Sequence, residues 1–591
     1  MSKPTSARHE RQKHFRYDVV GICTALLLTA ISLFLLLRLW TFHPHIPIAY
    51  EGDGLLTLSA FRNIQLSNWY LTSRNLGYPF GQFLQDFPAV ADGLSLLYAW
   101  LLVKILRDPV LAFNLFYLSS YLLVAAGGYV GCRLMTMKRE SSIGVALLFA
   151  FLPYHWMHGA GHLFLSMYPL VAISIAVLIR ELTRPEAENE GDSSLPRRSL
   201  PYVLLGLAIG ASGLYYAVFF LVILTAAIFM KVSSTGRFTR VWLMCSVGVG
   251  TVAALGFQFA YIFVWQQRNG PNLDTVKRGA FEVEYYSLRL LDLLRPIPQH
   301  RLSFMANFGT KAVSNYVPGE AAAFLGTVGV VGVVVILMSL LSMRSDPPMG
   351  TILGPLSRLF LVLFVASSVG GLNQVIATLG FAQIRVWSRS SVFLGFMSLV
   401  AFFLLIERLM RNKSSAALTL VVGVIVLVGI LDTNRVIPRD AYSKTSNEWH
   451  NDRKLIAEIE KMFGPGARVL QLPVLKFPEQ GPTMGIQDYA QLRGQLHSAS
   501  LCWSYGAVQG RDNGRTVRWK GTSVAGILAE ARTSGFDAVW VDLPAFADGG
   551  TDESSQVAAV TGASVLEDSL HRVRVFDLRT DRSQKRLSCQ D

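Results

Sequence analysis

The stretch "YDVVGICTALLLTAISLFLLLRLWTFHPHIPIAYEGDGLL", Tyr17–Leu56, decides the fold. Tyr17 to Trp40 is apolar over a length that crosses hydrocarbon, which takes about 20 helical residues. A basic tail precedes it, with Lys3, Arg8, Arg11, Lys13 and Arg16. Its apolar core exceeds the roughly 7–15 residues of a signal peptide, so it reads as an uncleaved signal anchor. Basic flanks stay in the cytoplasm, so Glu51 and Asp53 emerge on the far side.

The same apolar pattern recurs as far as Leu431 of the 591 residues, of which 16% are charged. Mean hydropathy is +0.38, as expected of a polytopic membrane protein. The net charge of +14 does not indicate a nucleic-acid partner. Lys and Arg cluster in short loops between apolar segments, which is the positive-inside pattern. Cys23, Cys132 and Cys245 lie in apolar segments and read as small core residues. Cys502 and Cys589 could pair if their part of the chain is outside, although no spacing motif supports it.

Eleven spans are expected. They are Tyr17–Trp40, Pro109–Met135, Ser142–Trp156, Leu163–Leu182, two short helices within Leu200–Met230 that turn at "SGLYY", Val241–Val264, Ala321–Met343, Pro355–Gly371, Ser391–Leu409 and Ala416–Leu431. Pro88–Leu106 is apolar enough to span. Counting it, however, would put Arg133, Lys138 and Arg139 outside, so it reads as an interfacial helix. Leu55–Leu71 reads as a weaker one. Residues 1–16 then form a cytoplasmic tail and 17–433 a membrane domain with an external loop at 41–108. Residues 434–591 form an external soluble α/β domain. In that tail "DRKLIAEIEKMF" and "VAGILAEARTSG" have helical period, while "ARVLQLPV", "FDAVWVDL" and "RVRVFDL" read as strands.

The external loops carry the chemistry. Ionisable groups at membrane level are costly and mark functional sites. Asp53 has two readings: the N-cap of a helix starting at Gly54 or Leu55, or a general base for an acceptor hydroxyl or amine. Asp86 has the same two, with Pro88 favouring the cap. Glu51 reads as a solvated loop acid that could also touch substrate. Arg385 and Arg389 stand four apart in "IRVWSRSS" and would share a helix face. They suit a phosphate or diphosphate, a lipid headgroup or a loop acid. His155, His158 and His162 are spaced for a helical metal face, but Gly159 and Gly161 interrupt it and no HExxH accompanies them. Contact with substrate or lipid phosphate, or polar packing, remains for them. His300 follows a Pro-rich turn and could line the same cavity. Glu320 suits a helix N-terminus or a ligand.

No GxxxxGK[ST] occurs, and no GxGxxG opens a helix after a strand. No cytoplasmic domain is large enough for a nucleotide sugar. A transferred group must come on a lipid, or energy must come from elsewhere.

The arrangement resembles the GT-C superfamily of polytopic glycosyltransferases. The resemblance rests on Asp53 in "YEGDGLL", the apolar Pro88–Leu106 segment, the short third and fourth spans and the C-terminal domain. It implies a polyprenyl-phosphate sugar donor and transfer on the extracytoplasmic face, with Asp53 as base and Asp86 as a second acid. Arg385 and Arg389 fall where such enzymes bind donor phosphate. The "WWD" signature of oligosaccharyltransferases is missing, which argues against protein N-glycosylation. The chain also resembles bacterial membrane proteins with "PFG…DFP", "GHLFLS" and "IRVWSR"-like stretches, which points to a bacterial inner membrane. The acceptor would be a surface glycan, lipid or protein. No cofactor or resident metal is implied, a divalent cation being the one open addition. The alternatives are a transporter or flippase for a lipid-linked glycan, and a non-catalytic envelope assembly protein.

Overall fold

The computed structural model describes residues 5–87, 92–184, 195–236, 241–314, 320–342, 349–435, 437–481, 483–580 and 588–589. Lys3, Pro88, Arg237, Arg240, Arg344, most of "NYVPGE" and most of the Arg184–Ser199 loop lie outside the described residues.

The chain leaves the first helix, α1 (Thr5–Leu36), and re-enters helix at α2 (Asp53–Ser67). A small hairpin of β1 (Thr72–Ser73) and β2 (Gln82–Phe83) follows, then α3 (Gly93–Leu106) and α4 (Pro109–Leu134). The start of α4 is well specified. Pro109 opens it, and Asp108 Oδ1 accepts from the backbone N–H groups of Val110 (2.8 Å) and Leu111 (3.1 Å). Next come α5 (Arg139–Ala150), α6 (Pro153–His158), α7 (Pro169–Thr183), α8 (Leu195–Ala211), α9 (Leu214–Thr235) and α10 (Trp242–Asn269). The third and fourth expected spans are shorter than read, because Pro153 and Pro169 begin new helices. The Leu200–Met230 hairpin does break at Ser212–Gly213, where Gly213 has φ 148°.

Three short helices, α11 (Ala280–Tyr285), α12 (Leu290–Leu294) and α13 (Ser303–Ser314), precede α14 (Gly326–Leu341). Then α15 (Met349–Ser367), α16 (Leu372–Thr378), α17 (Ser391–Leu409) and α18 (Ser415–Thr433) complete the bundle. Among the described residues 7 helices are long and apolar enough to cross a membrane. The four other expected spans correspond to the shorter α5, α7, α8 and α14. Helix α3 has 14 residues. At 1.5 Å per residue it reaches about 21 Å, short of a core about 30 Å thick. It buries Leu96, Ala99 and Val103 and exposes Leu94, Leu97, Leu101 and Ile105.

Without a hydrophobic drive between helices in lipid, close approach needs small residues. A Cβ at Gly206, Gly210 or Gly250 would lie 2.1–2.4 Å from a carbonyl oxygen across the α8–α10 contact. Gly127 and Gly131 of α4 meet the Pro169 and Ala172 carbonyls of α7 in the same way.

The C-terminal part contains α19 (Ser443–Phe463), β3 (Arg468–Leu472), α20 (Arg493–His497), β4 (Cys502–Trp503), α21 (Arg515–Lys520) and α22 (Val524–Thr533). It ends with β5 (Ala538–Asp542), α23 (Thr551–Thr561), β6 (Leu566–Glu567) and β7 (Val573–Asp577). The sheet order is β4-β3-β5-β7-β6, parallel across the first three strands and antiparallel at β7 and β6. A Cys502–Cys589 disulfide closes this part.

The domain is fastened to the segment between α1 and α3. Residues 75–78 lie along β4 and exchange backbone bonds with it: Trp503 N donates to Asn75 O (2.8 Å) and Tyr78 N to Trp503 O (2.9 Å). From α2, Ser59 Oγ donates to Gln495 Oε1 (2.6 Å) while Gln495 Nε2 donates to Asn63 Oδ1 (2.5 Å). Tyr50 Oη donates to Asp452 Oδ2 at 2.8 Å.

Candidate active site

A cavity of about 330 Å³ opens where the segment between α1 and α4, the α6–α7 connection, the α8–α9 turn, the segment before α17 and the C-terminal domain meet. Its polar lining includes Asp53, Asp92, His162, Tyr215, Arg278, Gln383, Arg385, Arg389, Glu479 and Tyr489.

Asp53 reaches it through a glycine turn. Gly52 has φ 52° and ψ −139°, a backbone that a side chain would strain. The helix N-cap is Gly52, and Asp53 is the first residue of α2 with no side-chain capping bond. The N-cap reading of Asp53 therefore fails. Its carboxylate sits in the first turn, where the helix dipole favours negative charge, and meets His162 Nδ1 at 2.9 Å. Both side chains are about two-fifths exposed.

Three guanidinium groups face the cavity. Arg389 donates through Nε (3.1 Å) and Nη2 (2.6 Å) to Glu320 and lies over the Tyr215 ring at 4.7 Å. Arg385 pairs with Glu282 and lies over Tyr286. Arg278 pairs with Glu479 at 2.5 Å. Glu282 and Glu320 are not among the lining residues, so they grip their arginines from outside the cavity. The pairs fix the guanidinium planes without using all five N–H donors. Arg385 and Arg389 do not share a helix, since residue 385 precedes a short 3₁₀ turn at Trp387–Ser390. They meet through the cavity instead.

Behind Arg389, Glu320 Oε2 also receives His158 Nε2 at 2.8 Å, and His158 Nδ1 lies 2.9 Å from Tyr154 O. Burial pushes the Glu320 carboxyl up, but Arg389 and His158 outweigh it and hold it well below the usual carboxylate range.

Other expected residues lie elsewhere. Asp86 sits in a 3₁₀ turn, Leu84–Asp86, and α3 starts only at Gly93, so its capping reading fails too. Its side chain is wholly buried and held by Arg511, with Nε 2.5 Å from Oδ2 and Nη2 3.1 Å from Oδ1. It does not line the cavity. His155 is buried among Ser120, Tyr168 and Tyr121, stacked 3.7 Å from the last. His300 binds Asp432 (3.0 Å) at the end of α18. Glu51 accepts from Gln487 Nε2 at 3.3 Å and lines a neighbouring cavity with His158. Among the described residues no group of three or more His, Cys, Asp or Glu could hold a metal ion.

Asp92, Arg278, Tyr215, Glu479 and Tyr489 were not singled out by sequence. Burial, opposed by Arg389, pushes the Asp92 carboxyl up to about 7. "VADG" carries no motif that would have marked it.

No known family model matches this sequence. No curated protein matches it significantly. Among solved structures the chain is similar to the arabinofuranosyltransferase AftD from Mycobacteria, with TM-score 0.53 and 13% identity over 95% of this chain and 40% of that one. It is also similar to ArnT from Cupriavidus metallidurans in the apo state, with TM-score 0.43 and 13% identity over 97% of this chain and 100% of that one. For ArnT bound to undecaprenyl phosphate the TM-score is 0.41 and identity 12%, over 96% and 99%. The likeness to AftD is one of fold, shared by this multi-pass membrane protein along nearly its whole length.

Proposed function

We propose that the protein is a membrane glycosyltransferase that moves a sugar from a polyprenyl-phosphate donor to an extracytoplasmic acceptor. One observation carries this reading: in a GT-C fold, Asp53 and three fixed guanidinium groups face one cavity beside the ends of membrane helices. A carboxylate opposite cations suits a displacement at a sugar carbon that expels a phosphate.

In that reaction the acceptor hydroxyl gives its proton to Asp53. Its oxygen attacks the anomeric carbon from the face opposite the phosphate, and the bond to phosphate oxygen breaks. The configuration inverts, and the leaving polyprenyl phosphate takes the electron pair. Arg385 and Arg389 meet the charge that builds on it, as preorganised donors do for developing anions. His162 orients the Asp53 carboxylate. Asp86, by contrast, serves as an anchor for the C-terminal domain.

The Cys502–Cys589 disulfide supports a C-terminal domain in an oxidising compartment, outside the bacterial inner membrane. The test is direct. Purified protein in detergent is given radiolabelled polyprenyl-phosphate sugars extracted from bacterial membranes, with an envelope fraction as acceptor. Protein-dependent movement of label from lipid to acceptor is expected. Movement of intact lipid-linked label across a vesicle membrane without transfer would indicate a flippase, and neither would indicate an assembly factor.

A further inference from the structure

The C-terminal domain contributes a side chain to the cavity whose polar atom is unused. Tyr489 lines it and is only 4% exposed. Among the described residues its hydroxyl has no hydrogen-bond partner. The hydroxyl is not sealed off from the cavity, so a molecule bound there can reach it and use it. The backbone adds to this, since Tyr489 has φ 66°, a conformation uncommon outside glycine and found at ligand sites. Its neighbours hold it in place: Gln487 binds Glu51, and the Phe477 ring meets the Tyr489 ring edge-on.

The surrounding charge indicates the ligand's chemistry. Burial, then the Asp53 carboxylate, push the phenol's ionisation above the ordinary tyrosine range, so it keeps its proton. Asp488, beside it, has a buried Oδ1 with no partner. Glu479 also lies on this side and is paired with Arg278. With its lining carboxylate paired to Arg278 and its phenol protonated, this wall carries little net charge. It suits a neutral, hydroxyl-rich group, while Arg385 and Arg389 offer phosphate its cations from the membrane domain. A phosphate-linked sugar matches a cavity polarised in this way.

We propose that Tyr489 is a specificity residue: its hydroxyl bonds a ring hydroxyl of the transferred sugar held beside Asp53. This rests on the transferase reading above. Tyr489→Phe tests it, because the ring and backbone are kept and no bond within the protein is lost. With polyprenyl-phosphate sugars extracted from membranes, kcat/KM for transfer should fall about ten-fold or more, the worth of one bond to a hydroxyl in a closed site. Inhibition by undecaprenyl phosphate, which carries no sugar, should be unchanged, as should the thermal midpoint. Wild-type transfer with a Tyr489→Phe protein equal to it would overturn this inference alone. So would an equal loss of undecaprenyl-phosphate inhibition, since the residue would then act on phosphate. Absence of transfer by the wild type would overturn the transferase reading and this inference with it.

Discussion

Removing either partner of the Asp86–Arg511 pair should loosen the C-terminal domain without touching the chemistry. Arg511 belongs to that domain. It grips Asp86 of the first loop with two donors and the carbonyls of Asn269 and Gly270, at the C-terminal end of α10, at 2.7 Å each. The two partners are unequally buried, with Asp86 at 0% side-chain exposure and Arg511 at 20%. Breaking a buried pair by deleting one partner costs about 3–5 kcal/mol, mainly through the charge left behind. Arg511→Ala leaves the fully buried carboxylate with only the Asn272 Nδ2 donor at 3.5 Å and should reach that range. Asp86→Ala strands a guanidinium that water partly reaches and that keeps two carbonyls, so about 2–3 kcal/mol is expected. Asp86→Asn keeps one acceptor and should lose least. The assay is thermal unfolding in detergent, with transfer measured per folded molecule. The order Arg511→Ala below Asp86→Ala below Asp86→Asn, with near-normal turnover of the folded fraction, is the expected outcome. An Asp86→Asn protein that unfolds like wild type but loses turnover a hundred-fold would refute the anchoring role and make Asp86 a catalytic acid.

Arg385→Ala and Arg389→Ala should each weaken inhibition by undecaprenyl phosphate, with Lys restoring it only partly because the fork is lost; unchanged inhibition in both would remove them from the site. For Asp92, a native value raised to about 7 means the folded chain holds the proton more tightly than the unfolded one. Its stabilising contribution is whole below about pH 4, the unfolded value, and is lost as pH rises to 7. The thermal midpoint of wild type relative to Asp92→Asn should therefore fall between about pH 4 and about pH 7, and a constant difference would contradict the shift. Gly250→Leu should separate α8 from α10, since even a Cβ would lie 2.2 Å from Val203 O; Gly256→Ala, with nothing within 4 Å, should be harmless. Equal folded yield from both would contradict the packing account.

The membrane helices were legible because their lengths and apolar runs follow from the bilayer itself. The break at Gly213 and the short third and fourth spans were visible in glycines and prolines. Helix contacts were also readable but unread: "GLAIG" from Gly206 and "GGYVG" from Gly127 space small residues four apart, as close helix packing requires. The site was legible only where membrane-edge chemistry stood out, at Asp53, His162, Arg385 and Arg389. His155 and His300 carry the same residue type, but burial among hydrogen-bond partners decides their role, and spacing does not encode that. Arg278, Glu479 and Tyr489 enter the site by tertiary docking. The bridge between Leu76 and Trp503 joins positions far apart in the chain, and no local pattern announces it.

The central claim is that Asp53 is the base, and Asp53→Asn tests it most directly. Asn keeps the size and the first-turn position, and no capping bond is lost because the native side chain makes none. Expression and thermal midpoint should stay near wild type. Sugar transfer should fall roughly 10²–10⁴-fold, the usual worth of a general base, while Glu51→Gln loses much less. Wild-type turnover by Asp53→Asn, at equal protein in the membrane, would contradict the account.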